Sequence, residues 1–583
     1  SLVSREALRP ERRLDGDAGL RIGVFVCHCG INISAIVDVG HLAASARDLP
    51  GVVYAEDWLY TCSQDTQDAM RRIIDEQRLN RVVVASCSPR THEPLFQQTL
   101  AQAGLNKYLF EMANIRDQCS WVHRRDEVRA TAKAERLLRM AVAKVARAEP
   151  LEEHSFAVEQ SLLVIGGGLA GMCAALAAAE QGFRVTLVER RQALGGCARD
   201  LRRGLDGRPV LDFLRDLERR LRSHPRVRLH TGSEVVAHDG FIGNFSSEIM
   251  TPAGTARTVA HGATLLASGG RQHRPALFGL GEHERVLTQT DFEQRLHDAA
   301  GMEARHVVMI QCVGSRDEAR PFCSRVCCNQ AIKNAVAFKH RYPQARVDVL
   351  YRDVRAYGLA ELAYRAARRA GVNFVRYHPE DNPPQVDLGG AGLRVELDDP
   401  SIGRRLALEP DLLVLSTGIE AVADEELGAM LRVPRNADGF FIEAHAKLRP
   451  VDFASDGVFL AGLAHGPKSI PETIAQASAA VARAATVLAK DELRMSGVVS
   501  QVVRPEDCAV CLTCVRACPF GVPVVNEDHV AEINAATCQG CGICVAECPG
   551  QAIELGHYQS AGLLAKVDAL LVDRPGEEER SHG

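Results

Sequence analysis

Short apolar runs alternate along the chain with longer stretches in which apolar residues recur every three or four positions. IGVFVC from Ile22 and RVVVASC from Arg81 read as buried strands, and QDTQDAMRRIIDEQ from Gln64 reads as a helix with one apolar face. This alternation predicts a first α/β domain over residues 1–150. The charged stretch AEPLEEHSF then leads into SLLVIGGGLAGMCAALAAAEQGFRVTLVER, whose order is strand, Gly-rich turn, helix, strand. Further strand-like runs at ATLLASGG, HVVMIQCVG, RVDVLYRD, DLLVLSTG and DGVFLAGL predict two parallel sheets of Rossmann type within 151–495. VLAKDELRMSG reads as a short polar helix. Residues 496–560 are small, rich in cysteine and punctuated by proline, and 561–583 form a weakly helical tail ending in charge. The expected class is α/β.

Composition narrows the function. At 583 residues, 46% hydrophobic and 25% charged, the chain supports several packed cores. Its 69 basic and 74 acidic residues leave a net charge of -5, which points to neither nucleic acid nor an anionic membrane as partner. There is no apolar run of transmembrane length, and the first residues are polar where a signal peptide would be apolar. The expected location is therefore cytoplasmic. Thiols stay reduced there, so the 19 cysteines read as metal or redox centres rather than disulfides.

Cys508, Cys511, Cys514 and Cys518 before Pro519, then Cys538, Cys541, Cys544 and Cys548 before Pro549, make two copies of C-x2-C-x2-C-x3-C-P. Each tight loop supplies three thiolates to one 4Fe-4S cluster, and the fourth cysteine serves the other cluster. Cys548 thus completes the first set and Cys518 the second. A zinc site needs one tetrahedron and has no use for two such runs. The segment resembles bacterial two-cluster ferredoxins.

Gly166, Gly168 and Gly171 form GxGxxG between strand and helix, and Glu189 ends the following strand. Such glycines let backbone approach a pyrophosphate at a helix N-terminus, while the acid accepts hydrogen bonds from a ribose. Gly195 and Gly196 just after the acid, the ATLLASGG strand, and AGLAHGPKSIPETIAQA around Gly462 resemble two-domain flavoproteins of the thioredoxin reductase type. That resemblance implies FAD. His92, Lys468 and Glu472 either touch the flavin or cap local turns.

A second GxGxxG, expected for NADPH, is missing from HVVMIQCVGSRDEARPFCSRVCC. Cys312, Cys323, Cys327 and Cys328 stand there instead, the last two opening a helix whose dipole favours thiolate. Four thiolates suffice for a further 4Fe-4S cluster; unligated cysteines or a redox dithiol are the alternatives. Cys173 and Cys197 stand alone, outside any CxxC, and read as packing residues.

The ferredoxin runs, the FAD motif, QCVGSR…PFCSRVCC and the N-terminal VCHCGIN, YTCS, VVASCSPRTHEPLF and LFEMANIRDQCSWVH together resemble the A-type subunit of heterodisulfide reductase. The likeness covers about Ile22 to Leu555. It implies another 4Fe-4S cluster in the first domain, with ligands among Cys27, Cys29, Cys62, Cys87 and Cys119; Cys29 is the one set aside. Longer family members insert a second ferredoxin module where SEVVAHDGFIGNFSSEIM runs through without cysteine, so four clusters rather than six are implied. The family further implies an electron-transfer protein that bifurcates electrons at its flavin in some members. Its partners would be B- and C-type subunits, or a hydrogenase, formate dehydrogenase or acyl-CoA reductase module, with ferredoxin and a homodimeric core. The rival readings are a self-contained NAD(P)H-dependent reductase and a non-catalytic redox-sensing scaffold.

Overall fold

The structure, a computed structural model, describes residues 9–12, 19–298, 302, 304–389, 392–422 and 424–572. Two compact units emerge, Ser1–His154 together with Arg494–Gly583, and Ser155–Leu493. The end of the tail lies outside the described residues.

In the first unit, strands Val52–Trp58, Ile22–Cys27, Arg81–Ser86 and Phe110–Asn114 lie in that order in one parallel sheet. The central strands are buried at every position but Arg81, as expected of a parallel sheet covered on both faces. The same unit holds the cysteine-rich lobe, built on two antiparallel pairs: Ser500–Val502 with Ile553–Leu555, and Pro523–Val525 with Ala531–Ile533. The tail does form a helix, Ser560–Leu571, which packs on Glu127–Val145. Buried beneath it, Glu111 accepts from Lys144 at 2.7 Å and pairs with His557 and Lys566, each at 3.3 Å. These ion pairs and the helix contact join the two ends of the chain in one unit.

The second unit contains two five-stranded parallel sheets. In the first the order is Val458–Leu460, Ala263–Leu266, Ser161–Ile165, Arg184–Glu189, Val227–Thr231; in the second it is Val286–Thr288, Leu412–Leu415, His306–Ile310, Arg346–Tyr351, Asn373–Arg376. The cysteine-free segment closes on itself as an antiparallel hairpin of Glu234–Phe241 and Asn244–Met250. One local expectation fails. The long helix stops at Leu488, and Glu492–Met495 is a strand rather than a polar helix, because Leu493 alternates inward to join the core.

Candidate functional site

The glycine turn is shaped by close approach. Gly166 has φ +109°, and a Cβ there would stand 2.3 Å from the Ala267 carbonyl oxygen; on Gly171 it would stand 1.8 Å from the Gly166 oxygen. Gly168 caps helix Leu169–Glu180, and the adjoining Gly195–Gly196 turn is held by Gly195 N–H donating to Gly167 O at 2.8 Å. Glu189 accepts from Gly167 N–H at 2.6 Å and from Arg191 N–H at 2.8 Å. Its carboxylate therefore sits beside the turn.

Gly166, Gly168, Glu189, Gly195 and Gly196 line a cavity of about 1800 Å³ that also reaches Lys468, Glu472 and Cys327. Its wall carries orphaned polar atoms: Gln289 Nε2, Asn329 Oδ1, Ser416 Oγ and Thr417 Oγ1 find no partner. A large polar ligand would supply those partners, and an adenine dinucleotide fits both the turn and the wall. Gly462 opens a short 3-10 turn, donating to Gln476 Oε1 at 2.9 Å and accepting from Lys468 Nζ at 2.7 Å. Burial, with Arg325 nearby, lowers the Lys468 ammonium to about 8. Glu472 closes the capping box of helix Ile470–Leu488 with Ser469 and accepts from Arg325 and Tyr357, each at 3.0 Å. Glu472 thus caps a helix while lining the cavity. His92 lies in the other unit, in helix Pro89–Gln102. Cys173 packs against the core with its thiol pushed up to about 11 by burial, whereas Cys197 lines the cavity and donates to Gly270 O at 3.0 Å.

Sequence reading missed one pair. Lys333, in the same helix as Cys328, lines the cavity and meets Glu293 at 2.5 Å; Glu293 also accepts from the backbone of Arg202 and Arg203 at 2.9 and 3.0 Å. A lone Lys and a distant Glu carry no motif that could have announced them.

The structure brings Cys312, Cys323, Cys327 and Cys328 together. Burial pushes the Cys327 thiol well up, and Cys328, Cys312 and Cys323 crowd it further. Cys312 turns out of the strand end with φ +60°, and Cys327 opens helix Cys327–Arg341. Arg316 Nη1 lies 3.9 Å from Cys312 Sγ, and Arg325 N–H donates to Cys323 Sγ at 3.3 Å.

In the cysteine-rich lobe the last cysteine of each run lies beside the other run's partners. Cys548 shares a hollow with Cys508, Cys511 and Cys514. Burial raises the Cys544 thiol, and Cys538, Cys518 and Cys541 crowd it further.

The N-terminal cysteines fall into two environments. Cys27 Sγ accepts from Cys29 N–H at 3.3 Å and from Thr61 N–H at 3.4 Å. Burial raises the Cys62 and Cys87 thiols, and Cys27 and Cys29 crowd both. The assembled quartet is Cys27, Cys29, Cys62 and Cys87. Cys119, counted above as a ligand in place of Cys29, is 0% exposed within the core; burial pushes its thiol up to about 11, and only Lys133 acts on it otherwise. The irregular turn Arg116–Ser120 rotates it inward.

Comparison with known proteins follows this layout. A model of NAD(P)-binding Rossmann-like domains matches residues 164–215, and a 4Fe-4S dicluster domain matches 500–549. The second A-type iron-sulfur subunit of the CoB–CoM heterodisulfide reductase of Methanopyrus kandleri is 37% identical over 87% of this chain and 92% of its own length. The A-type subunit of the H2:CoB-CoM heterodisulfide,ferredoxin reductase of Methanothermobacter thermautotrophicus is 35% identical over 94% of this chain and 97% of its own. The chain belongs to the family of A-type heterodisulfide reductase subunits. It is an oxidoreductase of the iron-sulfur flavoprotein kind, with FAD and 4Fe-4S clusters as cofactors. Among solved structures, T. acidophilum thioredoxin reductase aligns at 16% identity with a TM-score of 0.38, covering 56% of this chain and 97% of that one. Among the described residues, no helix of this family member is long and apolar enough to cross a membrane.

Proposed function

We propose that this chain is the electron-transfer subunit of a heterodisulfide-reductase-like complex, relaying electrons between FAD and four 4Fe-4S clusters. The observation that carries the reading is the position of Cys327: it lines the same cavity as the Gly166–Gly171 turn. A cluster thiolate and a flavin site thus share one wall. FAD takes up electrons in pairs and each cluster takes one at a time, so a flavin beside a cluster couples two-electron to one-electron carriers.

Gly166, Gly168, Gly171, Gly195, Gly196 and Gly462 would admit the dinucleotide, with Glu189 on its ribose. Lys333 would present its side chain to the cavity it lines, held there by the buried Glu293 carboxylate. Ligand sets are assigned as Cys508, Cys511, Cys514, Cys548; Cys538, Cys541, Cys544, Cys518; Cys312, Cys323, Cys327, Cys328; and Cys27, Cys29, Cys62, Cys87. Subunits of B and C type are the proposed partners, a role supported by the names of the relatives, which are themselves subunits of reductases.

Anaerobically purified chain should contain about one FAD and about 16 Fe, the sum of four cubanes. About 8 Fe would leave only the ferredoxin pair and remove the cluster from the cavity wall. Rapid NADPH oxidation by the pure chain would overturn the assignment in favour of a self-contained reductase.

A further inference from the structure

The thiol groups outside the cysteine-rich lobe open on the same turn, although they lie in different sheets. Cys29 stands two residues beyond strand Ile22–Cys27, and Cys312 two residues beyond strand His306–Ile310. Each strand runs inside its parallel sheet, with a neighbour on both sides. Each cysteine leaves it in the left-handed region, with φ +51° and +60°, and a glycine of φ +59° or +61°, Gly30 or Gly314, follows.

Beyond the turn each sulfur meets a guanidinium that an aspartate holds. Arg116 Nη1 lies 4.0 Å from Cys29 Sγ while its Nε donates to Asp117 at 3.0 Å, and the same group stacks 4.6 Å from the Trp121 ring. Arg316 Nη1 lies 3.9 Å from Cys312 Sγ and donates to Asp353 at 2.6 Å; Arg352 braces this turn by donating to Arg316 O at 2.8 Å. The two arginine side chains are only 20% and 18% exposed. In the cysteine-rich lobe, Cys538 and Cys518 accept instead from peptide groups, the Ser500 and Val522 N–H, each at 3.5 Å.

A guanidinium keeps its charge at any pH the folded chain meets. A cluster that takes up one electron gains one negative charge, which spreads onto its sulfurs, so a cation against a ligating sulfur favours the reduced form. Partial burial limits the screening of that attraction by water. The aspartate fixes the guanidinium in place and opposes its charge in part.

We propose that Arg316 and Arg116 set the reduction potentials of the clusters held by Cys312, Cys323, Cys327 and Cys328 and by Cys27, Cys29, Cys62 and Cys87, raising each so that it accepts an electron more readily. The first of these clusters has Cys327 on the cavity wall, so its raised potential makes it the ready acceptor for electrons leaving the flavin. The proposal rests on reading both quartets as cluster ligands.

The test is a redox titration of the anaerobic full chain, followed by EPR, with iron counted in every sample. Arg316→Met should lower one cluster midpoint, and Arg316→Lys, which keeps the charge, should restore most of the loss. Asp353→Asn, which removes the opposing charge, should move the same midpoint upward, and it decides the matter alone if Arg316→Met loses iron. Arg116→Met should lower a different midpoint. An arginine that only braces its turn would give shifts of one sign in Arg316→Met and Asp353→Asn; that result, or unchanged midpoints at wild-type iron content, would overturn the proposal. Unmutated chain with only about 8 Fe would overturn the cluster reading beneath it.

Discussion

Lys333, which lines the nucleotide cavity, meets Glu293 at 2.5 Å, the lysine side chain 13% exposed and the glutamate 1%. Burial lowers the lysine ammonium, and Glu293 holds it up again. Removing one partner of such a pair leaves a charge without solvent or counterion, which costs about 3–5 kcal/mol. Lys333→Met should therefore lower the thermal midpoint of the purified protein clearly. The double variant Lys333→Met with Glu293→Gln should recover most of that loss, because the neutral amide keeps an acceptor for the backbone of Arg202 and Arg203. An additive double variant would show that the pair is not coupled.

Cys29 and Cys119 are predicted to behave in opposite ways. Cys29→Ser should remove about a quarter of the iron, one cubane of four. Cys119→Ser should keep the iron and cost about 1–3 kcal/mol of stability, since it buries a hydroxyl without an assured partner in the core. Iron analysis beside thermal unfolding separates the two, and loss of iron from the Cys119 variant would restore that residue as a ligand.

Gly171→Ala tests the nucleotide turn. With an added Cβ only 1.8 Å from the Gly166 oxygen, helix and turn must move apart. The expected result is protein with a full ferredoxin complement and little flavin, read from flavin absorbance after gel filtration. Wild-type flavin content would place the dinucleotide elsewhere.

Lys468 introduces a pH dependence of known sign. Its ordinary value is 10.5, and burial followed by Arg325 holds it at about 8. Between these values the unfolded chain binds the proton and the folded chain does not, so this residue makes stability rise with pH across that window. Below about 8 both states are protonated and the full cost of burying the cation is present. Lys468→Met should flatten this part of the profile in denaturant unfolding; a slope equal to wild type would assign the titration to another group.

Much of the site is legible in the sequence because its geometry is local. A C-x2-C-x2-C loop carries three ligands within one turn of chain, and GxGxxG carries the pyrophosphate cradle between one strand and one helix, so spacing alone encodes the shape. Cys327 and Cys328 at the start of a helix belong to the same class.

Other features emerge only in the folded chain, because they join residues far apart along it. Cys27, Cys29, Cys62 and Cys87 follow three separate strands, and the sheet order Val52–Trp58, Ile22–Cys27, Arg81–Ser86 gathers their ends at one edge. Cys119 follows the outermost strand and turns into the core, which no spacing rule could foresee. Lys333 with Glu293 is likewise a contact of packing. The kinds of cofactor the chain can hold follow from its sequence, since ligation is written in short loops; which of the remaining thiols, ions and hydroxyls meet follows from the fold, since that depends on strand order, register and burial.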